Sequence, residues 1–91
     1  MRQQLSGVVT VNEGQPARHA TIELHNSTGD IVDQVVADDS GRFNYYLSAG
    51  TWTLVVWDPF GHRTSTQVYI EQGETKNIEL ELIGPEGVPS R

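Results

Sequence analysis

The residues able to do chemistry in this chain are few and scattered. His19, His25 and His62 are the groups whose ordinary pKa lies near neutrality. Tyr45, Tyr46 and Tyr69 supply phenols that, together with histidine, could ligate iron, and Lys76 is the single amine able to form a side-chain amide. Cysteine is absent, which removes thiol nucleophiles, thiolate metal sites and disulfides. The spacing does not gather the remaining groups. His19 and His25 stand six apart in or beside one extended stretch and could share a face without making a site. Asp38-Asp39-Ser40-Gly41 lacks the ligand spacing of a calcium loop and reads as turn chemistry. No Gly-x-Ser-x-Gly elbow or comparable nucleophile motif occurs. The expectation is a protein with no catalytic residues, no metal and no cofactor.

The framework that must position these groups is small. The chain has 91 residues and 10.1 kDa, enough for one domain with one shared core. With 36% hydrophobic residues it is apolar enough to fold, and no window approaches a membrane-spanning helix. A net charge of −6 repels phosphate backbones and anionic lipid, so neither nucleic acid nor membrane is expected as a partner. The start has no apolar run of signal-peptide length. Cytosolic synthesis is therefore expected if Met1 is the native start, and an extracellular place if the domain is excised from a larger protein.

Nearly every stretch between turn signals alternates at period two, and none shows helical spacing. Seven strands are expected: Leu5–Val11, Ala20–Asn26, Ile31–Ala37, Arg42–Leu47, Thr51–Trp57, Thr64–Ile70 and Thr75–Ile83. Gly-containing turns separate them. With Asp38–Gly41 and Ser48–Gly50 read as hairpin ends, Phe43, Tyr45 and Leu47 share the inward face with Trp52, Leu54 and Val56. Ile22, Leu24, Val68, Ile70, Ile78, Leu80 and Leu82 join that set, and Glu79 and Glu81 lie on the solvent side. The fold class is all-β, a seven-stranded Greek-key sandwich over residues 1–83. Residues 84–91, with two prolines and two glycines, read as a flexible tail or linker stub.

Gly7-x-Val9, Gly14-x-Pro16-Ala17, Ala20-x-Ile22-x-Leu24, Asp38-Asp39-Ser40-Gly41-Arg42-Phe43 and Ala49-Gly50-Thr51-Trp52-Thr53-Leu54 occur in that order. Together they resemble the carboxypeptidase regulatory-like domain over about residues 5–83. The resemblance implies a transthyretin-like (prealbumin-like, Ig-like) sandwich, with Phe43 plugging the core and Trp52 packing alongside. Ser27 to Leu54 also resembles a family of small uncharacterised actinobacterial proteins of that fold.

Enzymes of related fold do not fit residue by residue. Hydroxyisourate hydrolases carry an N-terminal His, a paired His and Arg, and a C-terminal Tyr-Arg-Gly-Ser, whereas this chain ends Val88-Pro89-Ser90-Arg91. Intradiol dioxygenases hold iron with two Tyr and two His, which no short motif arranges here. Pilin domains that form Lys–Asn isopeptides need a Lys in the first strand, and Lys76 falls in the last.

Outward positions include Tyr46, Val55, Trp57 and Tyr69, more aromatic character than a solvated face requires. One reading makes Trp57, with Tyr46 or Tyr69 and the loop Asp58-Pro59-Phe60-Gly61-His62-Arg63, a contact surface for a protein or a sugar. The other slips the register at a bulge and places Trp57 in the core. The function expected is a non-catalytic structural or protein-interaction module, such as a phage head-decoration or tail component or part of a surface protein. The alternative is a carbohydrate-binding accessory domain of a larger secreted protein.

Overall fold

The computed structural model describes residues 3–12 and 14–84. Among these are eight strands: β1 (Gln3–Val11), β2 (Gln15–Pro16), β3 (Thr21–His25), β4 (Ile31–Val36), β5 (Arg42–Leu47), β6 (Gly50–Trp57), β7 (Arg63–Ile70) and β8 (Thr75–Glu81). The strand missing from the seven expected is β2. Its two residues sit in what reads as a turn, and Pro16 is tolerated because β2 is a short edge piece against Thr10 and Val11. No helix long and apolar enough to cross a membrane occurs among the described residues.

The strands form two sheets facing each other. In the first, β1 pairs antiparallel with β5 and β2 and parallel with β8. The second has the order β4-β3-β6-β7, antiparallel throughout. The reading of Asp38–Gly41 and Ser48–Gly50 as hairpin ends does not hold. Because β4 and β6 lie in the second sheet and β5 in the first, both connections carry the chain across the sandwich. True hairpins join β3 to β4 and β6 to β7. The expected tail, residues 84–91, lies outside the described part except for Gly84.

The core follows the alternation. Phe43, Tyr45, Leu47, Ile22, Leu24, Leu54, Val56, Ile70, Leu80 and Leu82 are buried as expected. Leu5, Val9 and Val11 of β1 join them, with Ala17, Ala20 and Ala37 from connecting segments. Trp52, placed in the core by sequence, is only half-buried, as are Val68 and Ile78. Trp52 borders the open side of the sandwich between β4 and β5, where its Nε1 donates to the Ser48 carbonyl at 2.9 Å.

Two contacts set the spacing of the layers. Gly7 lies opposite Phe43 in the β1–β5 ladder, and a Cβ on Gly7 would stand 2.3 Å from Phe43 Cζ. The Phe43 ring thus fills the room that a side chain would take. Beside it, Tyr45 packs edge-on at 6.1 Å between ring centroids and donates its hydroxyl to the Ile22 carbonyl of the opposite sheet at 2.9 Å. Burial, reinforced by the nearby Asp33 carboxylate, pushes the Tyr45 hydroxyl well above the usual phenol range.

Two outcomes are expected. Gly7→Ala overpacks against Phe43 and costs about 1–3 kcal/mol in urea unfolding, a loss reduced when Phe43→Leu is added, whereas Phe43→Ala alone costs about 3–5 kcal/mol. Tyr45→Phe costs about 1–2 kcal/mol at neutral pH by removing the bond to Ile22. Since the folded state holds Tyr45 neutral above the ordinary value of 10.0, its contribution is complete below that pH and is lost as the solution becomes more alkaline. Unfolding curves from pH 8 upward should show an alkaline fall that is smaller in the Phe variant.

Candidate contact surface at the β6–β7 hairpin

Three loops in this chain share one chemistry. Asn26-Ser27-Thr28-Gly29-Asp30, Asp38-Asp39-Ser40-Gly41-Arg42 and Asp58-Pro59-Phe60-Gly61-His62 all read Asx-x-x-Gly-x. In each, the Gly amide donates to the carbonyl of the leading residue, whose own amide donates to the carbonyl of the fifth. One side-chain oxygen of the leading Asn or Asp accepts the amides of the third and fifth residues at 2.8–3.1 Å. Gly29, Gly41 and Gly61 have φ of 89°, 78° and 92°, the left-handed conformation that follows a type I turn in a three-residue hairpin loop. This confirms Asp38 as a turn residue, and the two amides it accepts hold its carboxyl below the ordinary carboxylate range.

The third copy is the loop in which the sequence places a candidate contact surface. Asp58 is buried, so it does not itself offer a contact. Its Oδ1 accepts the Phe60 and His62 amides at 2.9 Å each, and its Oδ2 lies 2.8 Å from His62 Nδ1. A carboxylate only accepts, so Nδ1 donates and Nε2 is left as the free ring nitrogen. Held by this set of bonds, the loop tip presents Phe60, 75% exposed. Trp57, Gly61, His62 and Arg63 line a shallow depression beside it with Asp58. Trp57 lies opposite Arg63 in the β6–β7 ladder, on the outer face, while Leu54 and Val56 face inward; the register is not slipped.

Ile83 completes the patch and was not singled out by sequence reasoning. It forms an isolated antiparallel bridge to Arg63, bonded in both directions at 2.9 and 3.0 Å, and is exposed. Parity alone carries the signal, because Leu80 and Leu82 face in and Ile83 must face out.

The structure does not bring Tyr46 or Tyr69 to this patch. Tyr69 shares the outer face of the second sheet, but it pairs with Thr51 at the far end of β6, six residues from Trp57 and so roughly 20 Å away. Tyr46 lies on β5, outward on the other sheet, opposite Gln4. A sandwich has two outer faces, and alternation along a strand does not say which of them a residue joins. No cluster of three or more His, Cys, Asp or Glu able to hold a metal occurs among the described residues. The Asp58–His62 pair and the His25–Glu23 pair, 2.9 Å apart, stand on separate elements.

With the layers and loops in place, the class is an all-β sandwich of the transthyretin-like and pilin type. The chain matches the carboxypeptidase regulatory-like domain over residues 4–83 and belongs to that family. No curated protein matches it in sequence. Among solved structures, it is similar to the TIE protein of Bacillus anthracis, with 20% identity and a TM-score of 0.73 over 89% of this chain and 16% of that one. The major pilin subunit BcpA of Bacillus cereus is similar at 14% identity and TM-score 0.74, over 90% of this chain and 29% of the pilin. The 5-hydroxyisourate hydrolase of Klebsiella pneumoniae is similar at 19% identity and TM-score 0.68, over 93% of this chain and 92% of the enzyme. The chain thus spans a small part of the first two proteins, and the fold it shares with all three serves pilins and enzymes alike.

Asp58→Ala is expected to cost about 1–2 kcal/mol and to raise amide hydrogen exchange at Phe60 and His62 most, because two partly buried amide bonds and the imidazole contact are lost together. Asp58→Asn keeps an acceptor for both amides and should protect them nearly as well as the native residue.

Proposed function

We propose that the chain is a non-catalytic protein-interaction module that docks into a larger assembly, a surface structure or a virion, through the tip of the β6–β7 hairpin. The observation that supports this is a rigid loop holding an exposed aromatic out of the core. Phe60 is 75% exposed, on a turn whose amides are tied to Asp58. Burying such a ring on a partner gains about 2–3 kcal/mol, and the loop is already ordered, so little conformational entropy is lost on docking. Trp57 and Ile83 extend the apolar area, and Arg63 with the free Nε2 of His62 offers polar groups at its rim. The likeness to a pilin subunit agrees with a structural role.

A second reading, carbohydrate binding, has one observation in its favour. On the outer face of the first sheet Tyr46 is exposed beside Gln4, and the next row is Asn44, Ser6 and Asn77. An aromatic beside a row of amides suits a polyhydroxylated ligand. Tyr46→Ala lowering the response to a glycan panel, with Phe60→Ser leaving it unchanged, would select this reading over the first.

For the protein-docking reading, a photo-crosslinking phenylalanine analogue at position 60, expressed in the producing cell, should give a discrete adduct. The same analogue at Ser65, mid-strand on the outer face, should give none. Phe60→Ser should change unfolding stability by less than about 0.5 kcal/mol, since the side chain touches no core. Equal crosslinking at both positions, or none at 60, would refute the hairpin tip as the docking element.

A further inference from the structure

The two sheets differ in width. The second has four strands abreast, whereas in the first β1 carries β8 along one side and β5, continued by the short β2, along the other. Tyr45 of β5 bonds to Ile22 of β3, and β8 lies against β7, where Lys76 caps the Tyr69 carbonyl. The first sheet therefore stops short of β4. Asp33 and Val35 share the inward face with their ladder partners Leu24 and Ile22, which are buried, yet Asp33 is exposed and Val35 only half-covered.

The edge beside this gap is β5. Its ladder with β1 runs from Arg42 to Leu47 without a register shift. The Gly41 carbonyl accepts the Val9 amide, so Gly41 and the odd-numbered residues after it bond to β1. Arg42 points the other way, its amide and carbonyl both bonded to Asp38. The amides and carbonyls of Asn44 and Tyr46 face that same open side and have no partner among the described residues.

Alternating donors and acceptors along a straight edge are the groups that an extended chain recognises. In an antiparallel addition, residues opposite Asn44 and Tyr46 exchange bonds with them and turn their side chains outward. The residue between them faces Tyr45 and points into the gap. The walls there are Leu24, Val32, Val35, Leu47 and the half-buried Trp52, with the Asp33 carboxylate among them. Asp33 Oδ1 accepts the Gln34 amide at 2.7 Å, which leaves Oδ2 open. Apolar walls, an indole and a carboxylate together suit an arginine, which can lay its aliphatic stem on the walls, its planar guanidinium over Trp52 and its N–H groups on the carboxylate. The net charge of −6 favours a cationic segment as well.

We propose that the β5 edge takes up an extended peptide segment of another protein, which lies over β4 as an added strand of the first sheet and is anchored by an arginine inserted beside Asp33 and Trp52. This surface is separate from the hairpin tip, and the inference stands whether or not that tip docks a partner.

The probe is the acetylated and amidated pentapeptide Thr-Val-Arg-Val-Thr, added to the full chain in a Trp57→Phe background so that Trp52 is the only indole. Saturable binding should move the amide resonances of Asn44 and Tyr46 most and shift Trp52 emission to the blue as its open side is covered. Asp33→Asn, at unchanged circular dichroism, should weaken binding by about tenfold, as should glutamine in place of the peptide's arginine. Methylating both valine nitrogens, which face β5, should abolish binding, and methylating the arginine nitrogen, which faces away, should not. No saturable shift at Asn44 and Tyr46 with millimolar peptide overturns the inference. So does equal binding by the peptide methylated at both valines, which would seat a side chain in the gap without adding a strand. Equal binding by Asp33→Asn removes the arginine anchor and overturns it too.

Discussion

The sandwich depends on the place where a side chain is missing. β1 is the strand on which the first sheet is built, paired to β5 and β2 antiparallel and to β8 in parallel. Halfway along its inward face stands Gly7, and the Phe43 ring occupies the volume a side chain would need. A glycine in a strand weakens it by leaving nothing to pack, and a cross-strand aromatic laid over it restores the contact. Phe43 in turn meets Tyr45 edge-on, and the Tyr45 hydroxyl reaches the backbone of β3 in the facing sheet. From one absent methyl group, the ring positions of β5 and the separation of the two layers follow. Gly41 belongs to the same arrangement: its carbonyl accepts the Val9 amide at 2.7 Å, and a Cβ there would press on the Val9 carbonyl.

A second constraint acts at the turns. The same Asx-x-x-Gly unit closes two hairpins within the second sheet and one crossing between sheets, so the local hydrogen bonds do not decide what the strands on either side pair with. This explains how far the fold is legible in the sequence. Alternation identifies the strands and nearly all of the core, because burial on one face imposes a period of two whatever the partner. It cannot say whether a short turn returns the chain to its own sheet. Asp38–Gly41 looks like a hairpin because its internal chemistry is that of one, and it is only the pairing of β4 with β3, and of β5 with β1, that makes it a crossing. β2 escapes for a different reason, since two residues are too few to alternate.

The same limit governs the contact surface. Parity correctly places Trp57, Tyr46 and Tyr69 outside, but the three lie at separate positions on two outer faces. Asp58 reads from sequence as part of a contact loop and proves to be its buried anchor. The pattern that reveals this is present in the chain, since the two other Asx-x-x-Gly loops predict where the Asp58 carboxylate must go. Trp52 illustrates the reverse case. Its parity is inward, yet the mouth between β4 and β5 leaves it half-covered, because a sheet's width, unlike its register, leaves no periodic trace.

Two of the edge strands, β8 and β4, resist further pairing by different chemistry. β8, which among the described residues pairs only with β1, alternates its apolar positions with Glu79 and Glu81 and carries Lys76, whose ammonium caps the Tyr69 carbonyl at 2.7 Å. Charge of this kind raises the cost of adding another strand there. β4 is guarded by other means: a bulge at Val32 interrupts its register with β3, and the Asp33 carboxylate accepts the Gln34 amide at 2.7 Å, so a strand with three exposed apolar side chains offers a broken rather than a straight template for a further strand.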